Sequence, residues 1–245
     1  MTTFEICYLC LEPFFPPLQR GIRTELKRLA KSRRQRMEIL DVGGRFSNYT
    51  IGVPASITVT DLPRNTEVQE RLHLGTTDRM MDRLLHRRSN IKNVHYDDMT
   101  RSDLPSESCD CIVAVEVLEH VENDDAFVRE VARVMKPDGE FIMTTPNGEA
   151  VPNLNPDHKR HYTREELLAL LRRHFRTVRV EYAVPGGLLF GLGLRSWTWK
   201  HPLKTAVTMV GACTSTLAPR SGTTPGSNKS TNNLIAWCSN QTGAN

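Results

Sequence analysis

The sequence predicts an α/β fold, a seven-stranded, mostly parallel sheet with helices on both faces and an antiparallel last strand. Three observations predict it. Short apolar runs alternate with helix-period segments from 37 to 174, which is how parallel sheets with crossover helices are encoded. Acids close the first four strand-like runs in turn: Asp41, Asp61, Asp97-Asp98 and Glu116. A glycine turn, Gly43-Gly44, follows the first of them. The 245 residues suffice for one such domain and are short for two full-sized ones. With 39% hydrophobic and 24% charged residues, the composition excludes a disordered chain and a bundle of membrane spans.

The elements follow in order. Residues 1–36 are read as an N-terminal helical extension, in which basic residues between Arg20 and Arg36 alternate with Leu26 and Leu29 as on an amphipathic helix with a solvated basic face. The core spans 37–184. Its strands are expected at 37–42, 56–62, 93–98, 111–117, 141–145 and 177–184, and the fourth is nearly all apolar, as a strand buried on both faces must be. Between them, 64–87 is helical in composition but broken around Gly75, and 124–135 carries Phe127, Val128, Val131 and Val134 at helical spacing behind Asn123 or Asp124 as N-cap. That helix should stop at Lys136-Pro137-Asp138-Gly139, and Thr163 with Glu166 forms a capping box for a helix to His174. Residues 185–232 make an insertion before the final strand and tail at 233–245. Leu188, Leu189, Phe190, Leu192, Leu194, Trp197 and Trp199 give it an apolar stretch that must be covered, but Arg195, Lys200 and Pro202 interrupt it well short of a bilayer-crossing length. A lid over the site is the first expectation and a seat on a membrane surface the second. The N-terminus lacks a secretory signature, so a cytoplasmic location is expected, with the six cysteines reduced. Cys7 and Cys10 have zinc-ligand spacing without a second pair, and no metal is expected there.

Chemistry gathers at one sheet edge. A strand ending in Asp41 and followed by Gly43 and Gly44 presents backbone N–H groups where open α/β sheets bind ligands, and Asp61 stands at the end of the second strand, where a carboxylate accepts from ribose hydroxyls. An adenosine-type ligand fits both.

These residues resemble the class I S-adenosylmethionine-dependent methyltransferases, and within them the small-molecule, ubiquinone-biosynthesis branch. The resemblance covers roughly 37–175 and rests on ordered blocks: Leu40-Asp41-Val42-Gly43, Asp98 with Leu104-Pro105, Ser108-Cys109-Asp110 leading into Val115-Glu116-Val117-Leu118-Glu119-His120-Val121, Glu130, Arg133 through Gly139, and Thr144-Thr145-Pro146-Asn147. It implies a Rossmann-like sheet, S-adenosylmethionine as cofactor and a small-molecule acceptor. It further implies that Asp41, Gly43 and Gly44 hold the cofactor's amino-acid end, Asp61 the ribose, Asp98 the adenine amino group with the Met99 backbone facing the ring, and Val115 and Glu116 the methionine portion. Asp97 is the alternative to Asp98. Arg45 and Ser47 depart from the family pattern by standing at its second and third glycine positions. Glu116, Glu119 and His120 match a pattern linked to a divalent metal in some relatives, but the same letters occur in relatives without one, and no metal is expected.

Methyl transfer needs a base only when the acceptor must lose a proton, and His120, His158 and His161 are the candidates. A nicotinamide-dependent dehydrogenase is excluded by the missing Gly-x-Gly-x-x-Gly. A nucleic-acid methyltransferase lacks its Asn-Pro-Pro-Tyr type strand ending, so nucleic acid is not an expected partner. A catalytically inactive methyltransferase-like binding module and an RNA methyltransferase are the remaining alternatives.

Overall fold

The first strand explains why both faces of the sheet are covered. In the computed structural model, which describes residues 1–64, 75–185, 202–203, 205–207, 209–210 and 231–241, β1 (Met37–Val42) sends Leu40 and Val42 into one apolar layer and Met37 and Ile39 into the other. Successive strand side chains point to opposite faces, so a strand apolar at every position needs cover on both. β2 (Ala55–Asp61) and β3 (Ile91–Tyr96) lie to one side of β1, and β4 (Cys109–Val115) and β5 (Met135–Pro146) to the other, all parallel. β7 (Thr231–Ser239) runs antiparallel between β5 and β6 (Thr177–Pro185). The resulting order, 3-2-1-4-5-7-6, is the seven-stranded, mostly parallel sheet that the sequence predicts. The strand order reverses between β1 and β4, and the crevice outside the carboxyl ends there is the ligand position of such sheets.

α-Helices flank it: α1 (Thr3–Cys10), α2 (Pro17–Ser32), α3 (Asp78–Arg87), α4 (Asp124–Val134) and α5 (Arg164–Leu171). α2 buries Ile22, Leu26, Leu29 and Ala30 in the layer with Met37 and Ile39. The spaced apolar residues of α4 join Leu167, Leu170 and Leu171 of α5 in the opposite layer. Asn123 caps α4 by accepting from the Ala126 N–H at 3.1 Å, and Thr163 and Glu166 form the reciprocal box at α5.

Four local expectations need correction. Lys136-Pro137-Asp138-Gly139 is not a loop: β5 begins at Met135, and the extra residues are taken up as an irregularity in register where Cys109 faces Met135 and Cys111 faces Glu140. A Cβ at Gly139 would lie 2.6 Å from Met135 Cγ and 2.9 Å from the Lys136 carbonyl oxygen, so only glycine fits there. β4 stops at Val115, not 117, because Glu116 adopts φ 56°. α5 ends at Leu171, and His174 lies beyond it, its Nε2 2.9 Å from Asp125. Arg23 is not on a solvated face; it is fully buried, its Nε 3.0 Å from Glu12 and its Nη1 donating to the Ile51 carbonyl. Most of 185–232, including Leu188 to Trp199, lies outside the described residues. Within it Leu203, Val207 and Val210 are exposed. No helix among the described residues is long and apolar enough to cross a membrane.

Candidate active site

The turn after β1 is built around a buried carboxylate. Asp41 is fully buried; its Oδ1 accepts from Tyr49 Oη at 2.8 Å, and its Oδ2 accepts from Ser47 Oγ at 2.5 Å and Thr50 Oγ1 at 3.2 Å. Arg88, also buried, donates to the Ser47 carbonyl at 3.1 Å and to Thr50 Oγ1, placing a guanidinium beside the acid. A buried charge persists only with such partners. Burial pushes the Asp41 pKa up, against the hydroxyls of Ser47 and Tyr49 and the charge of Arg88. Gly43 has φ 68° and donates to the Thr60 carbonyl at 2.7 Å, while a Cβ at Gly44 would meet the Asp41 carboxylate at 2.3 Å. Both glycines are required by the turn itself. The side chain of Asp41 thus faces its own loop.

At the end of β2, Asp61 is held on both oxygens. Oδ1 accepts from the Leu62 N–H at 2.8 Å and Oδ2 pairs with Arg45 Nη1. Beyond it lies a cleft of about 520 Å³, lined by Leu62, Pro63, Tyr96, Asp97, Asp98 and Arg101 among others. Asp98 Oδ1 accepts from both the N–H and the hydroxyl of Thr100, at 3.0 and 2.7 Å. Asp97 Oδ2 is buried with no partner among the described residues. Met99 is buried in the core layer below.

The end of β4 carries a second group of acids and the histidines. Glu116 accepts from Thr144 Oγ1 at 3.0 Å and Asn233 Nδ2 at 3.1 Å, so β5 and β7 together fix it, and Val115 packs half-buried beneath. Burial pushes the Glu116 carboxyl up, and burial together with the Glu116 charge pushes buried Glu119 well up. The three letters of the metal pattern divide here. Glu116 turns to Thr144 and Asn233, whereas Glu119 and His120 meet His158 from the loop after β5, one nitrogen or oxygen of each lying within 4.8 Å of the others. The Lys159 N–H donates to the Glu119 carbonyl at 2.7 Å and pins that loop.

The hydrogen bonds set the histidine tautomers. His161 Nδ1 lies 2.8 Å from the Val151 carbonyl, which can only accept, so Nδ1 carries the proton and a neutral ring leaves Nε2 as acceptor. His158 Nδ1, 2.7 Å from that Nε2, must then donate, which leaves the His158 Nε2 lone pair open. His120 bonds the Asp157 backbone, and its Nδ1 has no partner among the described residues. Burial, with His120 and His161 adding to it, pushes the His158 pKa down to about 4, so the ring is neutral near pH 7.

The methyltransferase-domain family model matches residues 17–183, more than half of the chain, and every block above falls inside it. The chain belongs to the class I S-adenosylmethionine-dependent methyltransferases. A probable S-adenosylmethionine-dependent methyltransferase of Mycolicibacterium smegmatis is 32% identical to it over 115 residues, 44% of this chain and 43% of that protein. The ubiquinone biosynthesis O-methyltransferase of Photobacterium profundum is 26% identical over 153 residues, 55% of this chain and 61% of that protein. The methyltransferase chain therefore spans less than two thirds of the length of these relatives. An S-adenosylmethionine-dependent methyltransferase from Archaeoglobus fulgidus shares the fold, with a TM-score of 0.56 at 15% identity over 90% of this chain and 93% of that one.

S-adenosylmethionine is the cofactor of this family, and the methyltransferase edge fits it in most particulars. The turn at Gly43 and Gly44 is closed to any Cβ, the cleft beside β2 and β3 is of nucleoside size, and the buried, unpartnered Asp97 Oδ2 is an acceptor for an amino donor such as that of adenine. Asp98 Oδ1 is taken by Thr100 and its Oδ2 lies 3.5 Å from Arg101 Nε. Residues that the sequence alone does not reveal are Tyr49, Thr50 and Arg88, which complete the Asp41 cage. Ser47 gave the one signal, a hydroxyl six residues after an acid where the family has glycine.

Proposed function

We propose that the chain transfers a methyl group from S-adenosylmethionine to a small molecule bearing a phenolic type of hydroxyl, with His158 as general base and His161 as the residue that holds it. The observation that supports this is the relay from the Val151 carbonyl through His161 to His158, which leaves one imidazole lone pair at the carboxyl edge of the sheet. When bound, the cofactor supplies an electrophilic methyl carbon for in-line displacement. The protein's part is to align the acceptor oxygen and accept its proton. A base with a pKa pushed down to about 4 is always neutral at physiological pH but weak, so it suits an acceptor hydroxyl with a pKa of about 10 better than a far less acidic sugar hydroxyl. The name of the Photobacterium relative, an O-methyltransferase, agrees with an oxygen acceptor.

The test is turnover of His158→Gln across a panel of phenols, read as S-adenosylhomocysteine release. Loss of the base should lower kcat by roughly 10²–10⁴ near pH 7 with cofactor affinity kept. The remaining rate should climb with pH toward the pKa of the acceptor itself, because only the ionised phenol then reacts, whereas the wild-type rate stays nearly level. A variant whose pH profile parallels the wild type would refute the role of His158.

A further inference from the structure

We propose that α1 is a clasp on the cofactor turn and that Glu5 is a positioning residue for S-adenosylmethionine: by tying α1 to 87–89, it keeps Arg88 in the Asp41 cage. The inference rests on the turn at Gly43 and Gly44 being the cofactor's seat and is independent of the acceptor.

Three observations carry it. The first is the burial of Glu5. A glutamate at the third position of a helix can close a capping box from the surface, as exposed Glu166 does at α5. Glu5 makes the same box with Thr2, yet it is fully buried; its Oε1 accepts from the Ser89 N–H at 3.0 Å and its Oε2 from the Ser89 hydroxyl at 2.8 Å. Thr2 Oγ1 adds a bond of 2.6 Å to the Arg87 carbonyl, and the Arg87 guanidinium lies 5.3 Å from the centre of the Phe4 ring. The start of α1 is therefore fixed to a distant segment as well as to itself. The second observation is where that segment leads. On either side of Ser89, buried Arg88 reaches Ser47 and Thr50, and buried Asn90 donates to the Thr50 and Val53 carbonyls at 2.7 and 3.1 Å. Burial pushes the Arg88 pKa down, and the charges of Asp41 and Glu5 are among those that oppose it. The third is a direct contact of α1 with the same loop: Gly52 has φ 64°, and a Cβ there would lie 3.2 Å from Leu9 Cδ1. The helix thus closes on both segments that supply the partners of Asp41.

An eight-residue helix does not persist by itself in water, so α1 forms as it docks, and its departure releases 87–89 and the loop at Gly52 together. Docking and cofactor binding are then linked, and the link is reciprocal: the factor of affinity lost when α1 leaves is the factor by which bound ligand protects α1. Calorimetry with S-adenosylhomocysteine, with hydrogen exchange across 5–11 in the whole chain, tests this. Glu5→Gln keeps the shape but sets an amide donor against the N–H of Thr2 or Ser89, and should weaken S-adenosylhomocysteine binding roughly fivefold or more. Ser89→Ala, at an exposed residue outside the cage, should weaken it less, and the double variant should bind no more weakly than Glu5→Gln. In wild type, saturating ligand should slow exchange across 5–11 by at least the factor that Glu5→Gln loses in affinity, which a merely structural role of Glu5 would not produce. Unchanged affinity in Glu5→Gln, or wild-type exchange across 5–11 that ignores the ligand, overturns the clasp and leaves the cofactor reading standing. If Glu5→Gln does not fold, Ser89→Ala takes its place in that comparison. Folded wild-type protein that does not bind S-adenosylhomocysteine overturns both.

Discussion

Replacing Tyr49 with Phe probes the cage around Asp41 most directly. The ring stays, so no cavity opens, and the change removes one hydroxyl that donates to a buried carboxylate at 2.8 Å. A hydrogen bond to a charged group is worth about 1.5–3 kcal/mol. For a chain of this size each kcal/mol moves the melting temperature by roughly 2–4 °C, so the variant should melt roughly 3–12 °C lower. The pH dependence adds a second mark. The Asp41 pKa is raised in the fold, so its contribution to stability falls as pH rises from the unfolded carboxylate value of about 3.9 through the folded one. Tyr49 bonds the ionised form, so its removal raises the folded pKa further and costs most where the acid must ionise. Urea melts at pH 5 and pH 8 should show a larger gap between wild type and variant at pH 8. A gap below about 0.5 kcal/mol at pH 8, or one that does not grow with pH, would show that Asp41 does not depend on this hydroxyl.

Two further measurements bear on the fold. Gly44→Ala forces a Cβ to within 2.3 Å of the Asp41 carboxylate and should cost roughly 1–3 kcal/mol in urea melts, whereas Gly21→Ala in the middle of α2, where a Cβ meets nothing within 4 Å, should stabilise by up to about 1 kcal/mol; equal effects would contradict the geometry of the turn. In a Cys213→Ser background, a disulfide reagent should label exposed Cys7 and Cys10 quickly and reach Cys109, Cys111 and Cys238 only in denaturant, because burial both hides these thiols and pushes their pKa up; fast labelling of all five would place the core strands in doubt.

How much the sequence disclosed differs between the sheet and the site. Strand identity was legible because the sheet is buried on both faces, which forces apolar runs such as Cys111 to Ala114, and because each run needs an end. The termini were less legible where a single backbone torsion decides them, as at Glu116, whose positive φ leaves no mark in the order of letters. In the site, the acids of the carboxyl edge were found by position, but their partners were not, since the partners come from distant segments: Arg88 reaches Ser47 across 41 positions and Asn233 reaches Glu116 across 117. Arg45 illustrates the limit most clearly. Its identity as a departure from the glycine pattern was visible, while its pairing with Asp61 depends on how the turn directs the side chain. Likewise His158 and His161 were recognisable as titratable groups, and only the Val151 carbonyl decides which nitrogen holds the proton.

The ladder between β6 and β7 has a consequence for how such an enzyme diversifies. Pro185 is registered against Thr231, so the chain leaves the sheet and returns to it at facing positions, and β7 begins where β5 ends, with Asn233 opposite Pro146. At that point the two flanking strands could equally be joined by a tight hairpin. Lengthening such a connection adds a closure entropy that grows only logarithmically, about 0.6 kcal/mol for each doubling. The length of that connection can therefore change at little cost to the sheet, while Asp41 and Asp61 keep their places on β1 and β2.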